Sequence, residues 1–129
     1  MIVRKQVPAQ VIYENDRTLA FLDIKPVNPG HALVIPKDHF SDFASTPADR
    51  LGDISAVAQK IGKVVMEGLE APGYNIGVNN GRVAGQLVDH MHLHVMPRFE
   101  GDGYDLWHGK PYEEGEMERV AEKMRKALA

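Results

Sequence analysis

Apolar positions recur along the chain in two rhythms, and the switches between them mark its elements. Val11-Ile12-Tyr13 is a short β-rich run ended by the turn signal Glu14-Asn15-Asp16. Leu19-Ala20-Phe21-Leu22-Asp23-Ile24 resumes as a strand, so the two runs read as a hairpin. Pro26, Pro29 and Gly30 mark a loop. His31-Ala32-Leu33-Val34-Ile35 is a third strand, apolar enough to lie centrally, and Pro36 closes it. Helical spacing then takes over at Leu51, Ile54, Val57, Ala58, Ile61, Val64 and Val65. Thr46 suits the N-cap of that helix, Pro47 its first position and Asp49 its first turn. The helix is predicted over 47–69, ahead of Pro72-Gly73. Strand rhythm returns at 74–79. A polar, glycine-bearing turn follows at 80–86, then an alternating strand from His90 to Met96, cut by Pro97. Residues 97–112 read as loop. Met117, Val120, Ala121, Met124 and Leu128 form the stripe of a second helix over 113–128.

Strands joined by short turns favour antiparallel pairing. The predicted fold is α+β: an antiparallel sheet of about five strands with two helices packed on it. At 129 residues, residues 1–129 form a single domain. The 51–65 run carries more apolar positions than one buried face needs, which hints at burial against a partner.

Composition narrows the chemistry. A formal net charge of −3 argues against a broad nucleic-acid surface but leaves room for a small nucleotide in a cleft. The chain has no cysteine, so disulfides and thiolate metal sites are excluded, and a cytoplasmic location is the expectation. Charges break up residues 1–6 before any signal-like apolar region forms, and no run approaches the roughly 20 apolar residues of a membrane span.

The richest stretch is His90-Met91-His92-Leu93-His94. On a strand the three imidazoles share one face while Met91, Leu93 and Val95 point to a core. Three readings compete. The histidines could form a solvated polar face, although histidine is an uncommon surface filler. They could hold zinc, since imidazoles at i and i+2 can both reach one ion. One neutral imidazole could attack an electrophile while its neighbours orient it or bind substrate. The glycine-bearing turn favours phosphate chemistry, because Gly81 and Gly85 let backbone N–H groups crowd toward an anion and Gln86 adds an amide.

The run Ala84-Gly85-Gln86-Leu87-Val88-Asp89-His90-Met91-His92-Leu93-His94-Val95-Met96 resembles the signature of the histidine triad (HIT) family. Leu19–Ile24 and Pro29–Pro36 are similar to that family's nucleoside-binding half, and the likeness covers residues 8–97. It extends to both the Hint branch of nucleoside phosphoramidases and the Fhit branch of dinucleoside polyphosphate hydrolases; Asn79 leans to the first, Pro97-Arg98 to the second. The resemblance implies that His92 attacks an α-phosphorus and carries a nucleotidyl intermediate, that His94 binds the phosphate, and that His90 supports the nucleophile. It implies a fourth histidine nearby at His31 and a phosphate-binding turn of Gly85, Gln86 and Leu87. Asp23 would hold the ribose hydroxyls and Asn79 would approach the phosphate or its leaving group. Ile24, Phe21, Leu33, Val7 and Ile2 fall where the family has its base pocket.

The resemblance also implies a homodimer in which the 47–69 helix and the 74–79 strand meet their two-fold mates and join the sheets. The partner is a purine nucleotide with an AMP-like product, without nucleic acid or membrane. No resident metal or other cofactor is expected, although Mg could travel with the substrate's phosphates. Two departures stand out. Family members often carry a further N-terminal stretch with aromatic and cysteine residues, so part of the base pocket is expected to be built differently. Leu87 stands where Ser or Thr is common, which removes a possible proton donor to the leaving group. His39 reads as a surface-turn residue; Trp107 and His108 read as loop residues that could flank the cleft or a dimer seam.

Overall fold

The computed structural model describes residues 10–129, so Ile2 and Val7 lie outside it. Five strands and two helices follow one another as β1 (Val11–Glu14), β2 (Thr18–Leu22), β3 (Ala32–Pro36), α1 (Ala48–Gly68), β4 (Gly73–Gly77), β5 (Leu93–Arg98) and α2 (Glu116–Leu128). The sheet order is β1-β2-β3-β5-β4, and every neighbouring pair is antiparallel. Asn15 turns the first hairpin: its Oδ1 accepts the amides of Arg17 and Thr18 at 3.1 and 2.9 Å.

One face of the sheet is covered by α1. Ile54, Val57, Ala58, Ile61 and Val65 recur at helical spacing, are buried, and meet Ala20, Ala32, Val34, Leu93 and Val95. Full burial of each large side chain contributes about 1.5–3 kcal/mol, which fixes the helix on the sheet. Gly62 allows close approach here, because a Cβ at that position would lie 2.5 Å from the Tyr74 ring. The helix starts one residue later than predicted. Thr46 does not cap it; its hydroxyl donates to the Asp42 carbonyl at 2.6 Å, and Pro47 takes the N-cap position.

Two further differences matter for the site. The predicted 90–96 strand begins only at Leu93 and continues through Pro97 to Arg98. Pro97 is tolerated because β3 stops pairing at Val95, so one flank of β5 has no ladder left to supply there. The second helix does not pack on the sheet: none of its residues is buried, and its Met117, Met124 and Leu128 stay exposed. Among the described residues, no helix is long and apolar enough to cross a membrane.

Candidate active site

Cross-strand partners point to the same side of a sheet. Phe21 pairs with Leu33, Leu33 with His94, and His94 with Gly77, so these residues form one row across four strands. Odd-numbered β2 and β3 residues and even-numbered β5 residues therefore face away from α1. Leu19, Phe21 and Ile35 form a small buried cluster there, with Leu33 packed against it. Asp23 follows β2 at the same parity and His31 precedes β3 likewise. Burial along 91–96 alternates as the sequence predicts, with Met91, Leu93 and Val95 inward and His92, His94 and Met96 partly open.

Hydrogen bonds fix the tautomers of the imidazoles. The backbone N–H of Val27 donates to His31 Nδ1 at 3.0 Å, so the His31 proton must sit on Nε2. That Nε2–H donates to His94 Nδ1 at 2.9 Å, which leaves His94 with its proton on Nε2 as an outward donor. Burial holds both rings neutral. His94 is pushed down to about 4, first by burial and then by the neighbouring His92 and His31, against the pull of Asp23. His31 is lowered by burial in the same way, again opposed by Asp23. Asp23 Oδ1 accepts the Lys25 amide at 2.9 Å, and Oδ2 lies 3.7 Å from His31 Nε2. The acid thus serves its turn with one oxygen and faces the site with the other.

His92 Nδ1–H donates to the His90 carbonyl at 2.8 Å, leaving the Nε2 lone pair free. Its ring centroid lies 5.0 Å from that of His94. His90 departs from the shared face expected of all three histidines. The backbone at 90–92 is not a regular strand, and His90 and Met91 are both buried in succession. The His90 ring turns to the β3 end, where its Nε2–H donates to the Pro36 carbonyl at 3.0 Å. Its Nδ1 lies 3.0 Å from Nδ1 of His39. His39, set aside as a surface-turn residue, is therefore a neighbour of the triad. A separation of 51 positions along the chain leaves no local signal of it.

The 79–88 turn is a compact, internally bonded loop. Gly81 and Gly85 adopt φ of +86° and +99°, values that side chains disfavour. Gln86 Oε1 accepts the Gly81 amide at 2.9 Å, and its Nε2 donates to the Ser41 and Val88 carbonyls. Its amide group, expected to face an anion, is instead spent on shaping the loop. The amides of Gly85 and Gln86 are also used within the turn. A Cβ on Gly85 would lie 3.2 Å from Asn79 Nδ2, so Asn79 does sit against this turn. Leu87 is 79% exposed and Ile24 80% exposed, while Phe21 is 3% exposed and lies beneath the accessible surface. Trp107 is almost fully exposed and His108 is exposed beside it in the loop after β5.

Among the described residues, the one candidate set of three metal donors is Asp23, His31 and His94, rather than alternate residues of the 90–94 run. His31 fits a metal poorly. While Val27 N–H occupies Nδ1, Nε2 keeps its proton and has no lone pair to give.

An imidazole anchored through Nδ1, a neutral donor beside it and a glycine turn suit attack on a phosphoryl group. A model of the HIT domain matches residues 4–101. Adenosine 5'-monophosphoramidase HNT1 of Candida albicans is 36% identical over 99% of this chain and 88% of its own. The crystal structure of SMU.412c from Streptococcus mutans superposes with a TM-score of 0.91 at 33% identity, covering 99% of this chain and 82% of the other. A Zn-bound histidine triad family protein from Mycobacterium smegmatis is 40% identical, with a TM-score of 0.76 over 99% of this chain and 94% of that one. With its triad on β5 and its approach, its fourth histidine before β3 and its glycine turn between β4 and β5, the chain belongs to the histidine triad family and is of the nucleotide hydrolase type.

Proposed function

We propose that this protein cleaves a purine nucleotide at its α-phosphorus through a nucleotidyl intermediate on His92 Nε2. The observation that carries the reading is the His92 Nδ1–H bond to the His90 carbonyl, which fixes the neutral ring's one proton on Nδ1 and turns Nε2, with its lone pair, outward. In the first step Nε2 forms a bond to phosphorus and the bond to the leaving group breaks. The leaving nitrogen or oxygen takes a proton from water, because Leu87 offers no hydroxyl. In the second step water attacks the same phosphorus and gives up a proton that neutralises the hydroxide left by the first step, the His92–phosphorus bond breaks with its electron pair returning to Nε2, and an AMP-like product departs. His94 Nε2–H donates to a non-bridging oxygen as charge builds there; one such aimed donor contributes about 2.7–4 kcal/mol in comparable sites. Asp23 Oδ2 accepts from the ribose hydroxyls, Ile24 and Leu33 line the base, and Asn79 approaches the leaving group.

A phosphoramidate is favoured over a dinucleoside polyphosphate as substrate, because relatives named as adenosine 5'-monophosphoramidases align over nearly the whole chain. Any Mg arrives with the substrate's phosphates, and the protein works in the cytoplasm. The protonated Nε2 of His31 counts against zinc on Asp23, His31 and His94, and the outward Nε2 of His92 favours a hydrolase over a nucleotide-binding regulator with weak catalysis, which needs no free nucleophile. The test compares adenosine phosphoramidate, adenylyl-lysine and diadenosine polyphosphates with wild type and His92→Gly. Turnover should vanish in the variant while AMP affinity stays within about threefold, and the quenched wild-type reaction should contain nucleotidylated His92. Undiminished turnover in His92→Gly refutes the proposal.

The active form is proposed to be a homodimer. β4 lies at the sheet edge, and Ile76 on it and Val64 and Leu69 at α1 are exposed apolar side chains. Light scattering should give about twice the chain mass; a monomer that retains full activity contradicts this.

A further inference from the structure

The Pro36–Phe40 segment grips the peptide that aims the nucleophile. Met91 N–H donates to the Phe40 carbonyl at 2.7 Å. That N–H belongs to the same planar unit as the His90 carbonyl, and in a trans peptide the two point in opposite directions. Anchoring the N–H on Phe40 therefore turns the carbonyl the other way, toward His92 Nδ1–H at 2.8 Å. The His90 ring is held at both nitrogens. Pro36 offers only an acceptor, so His90 Nε2 carries the proton, and in the neutral ring Nδ1 is then bare. A bare Nδ1 at 3.0 Å needs a donor opposite, and the His39 Nδ1–H is that donor.

We propose that His39 is a positioning residue for the phosphoryl-transfer reaction: by donating to buried His90 it fixes the ring and peptide whose carbonyl aims His92. This rests on the assignment of His92 as nucleophile. His39 itself is exposed and touches no reacting atom, so its effect is transmitted through His90. Removing it leaves the His90 ring bonded at one nitrogen and free to rock, and the carbonyl moves with it. Groups behind a metal-bound histidine typically contribute about 10–100-fold, and a misplacement of about 1 Å costs about 100-fold, so a loss of that order follows here.

The experiment combines kinetics with nitrogen NMR of histidine-labelled protein, using wild type, His39→Ala and His39→Asn. The Asn side-chain amide can place an N–H where His39 Nδ1 sits. With adenosine phosphoramidate, His39→Ala should lower kcat by about tenfold with KM within about twofold. Asn should restore kcat to within about threefold of wild type. In wild type the His92 ring should show one protonated nitrogen, Nδ1; in the Ala variant its two tautomers should mix, and in the Asn variant they should not. An unchanged kcat and unmixed His92 signals in His39→Ala overturn the proposal. Stoichiometric zinc in wild type that is lost in His39→Ala also overturns it, because Nδ1 would then be a ligand rather than a donor. Should no nucleotide substrate turn over at all, the assignment of His92 fails, while the nitrogen signals still decide whether His39 orients that ring.

Discussion

Acid titration of His94 tests whether the site is held neutral. Its ring, ordinarily at 6.5, is pushed down to about 4, chiefly by burial. Each unit corresponds to about 1.36 kcal/mol, so the gap of about 2.5 units sets a ceiling near 3.4 kcal/mol. The ring is partly open to water, so screening reduces the realised effect to about 1–2 kcal/mol. The sign follows from proton uptake. Above pH 6.5 neither the folded nor the unfolded chain binds a proton at this ring. Between 6.5 and about 4 the unfolded chain binds it and the folded one does not, so stability falls as pH falls. Below about 4 both are protonated and this contribution stops changing. The assay follows the His94 ring resonances by NMR from pH 8 to 3.5 and measures urea unfolding at the same steps. His94→Asn supplies the reference, since it keeps an acceptor for His31 Nε2–H but does not titrate. The wild-type stability should fall relative to the variant by about 1–2 kcal/mol across that window. A His94 resonance that titrates at 6 or above, or a flat difference between the two proteins, refutes the reasoning.

Two further outcomes test the frame around the site. Gly62→Ala gains up to about 1 kcal/mol of helix propensity but drives a methyl into the Tyr74 ring, and should be net destabilising by about 1–2 kcal/mol in urea melts. Asp102 accepts from Arg98 Nε at 2.7 Å, from Asn28 Nδ2 at 3.0 Å and from the Phe99 and Tyr104 amides at 3.2 and 3.1 Å, with Arg98 holding its carboxyl well below the usual range. Asp102→Ala should lower the melting temperature by several degrees and, by leaving the Asn28 side chain held by the Pro97 carbonyl without Asp102, speed hydrogen exchange at the neighbouring Val27 amide.

Much of the framework is legible in the order of residues. The alternation at 91–96 and the helical spacing at 54–65 give the right elements because burial of one face demands those periods. Errors fall where a side chain finds a hydrogen-bond partner other than the one its local pattern suggests. Thr46 reads as an N-cap but spends its hydroxyl on Asp42. Gln86 reads as an anion donor but is consumed by Gly81, Ser41 and Val88. The last helix has a proper apolar stripe, yet a stripe does not say whether this chain's own sheet will receive it.

The sequence by itself determined the order of the elements, the α+β class, the run of three alternating histidines and, through its motif, the family. The tertiary structure alone decided which nitrogen of each ring carries the proton. His31 meets His94 across 63 residues, and His39 meets His90 across 51. A tautomer is set by the partner that a ring finds in space, and periodicity along a chain carries no information about partners so far apart.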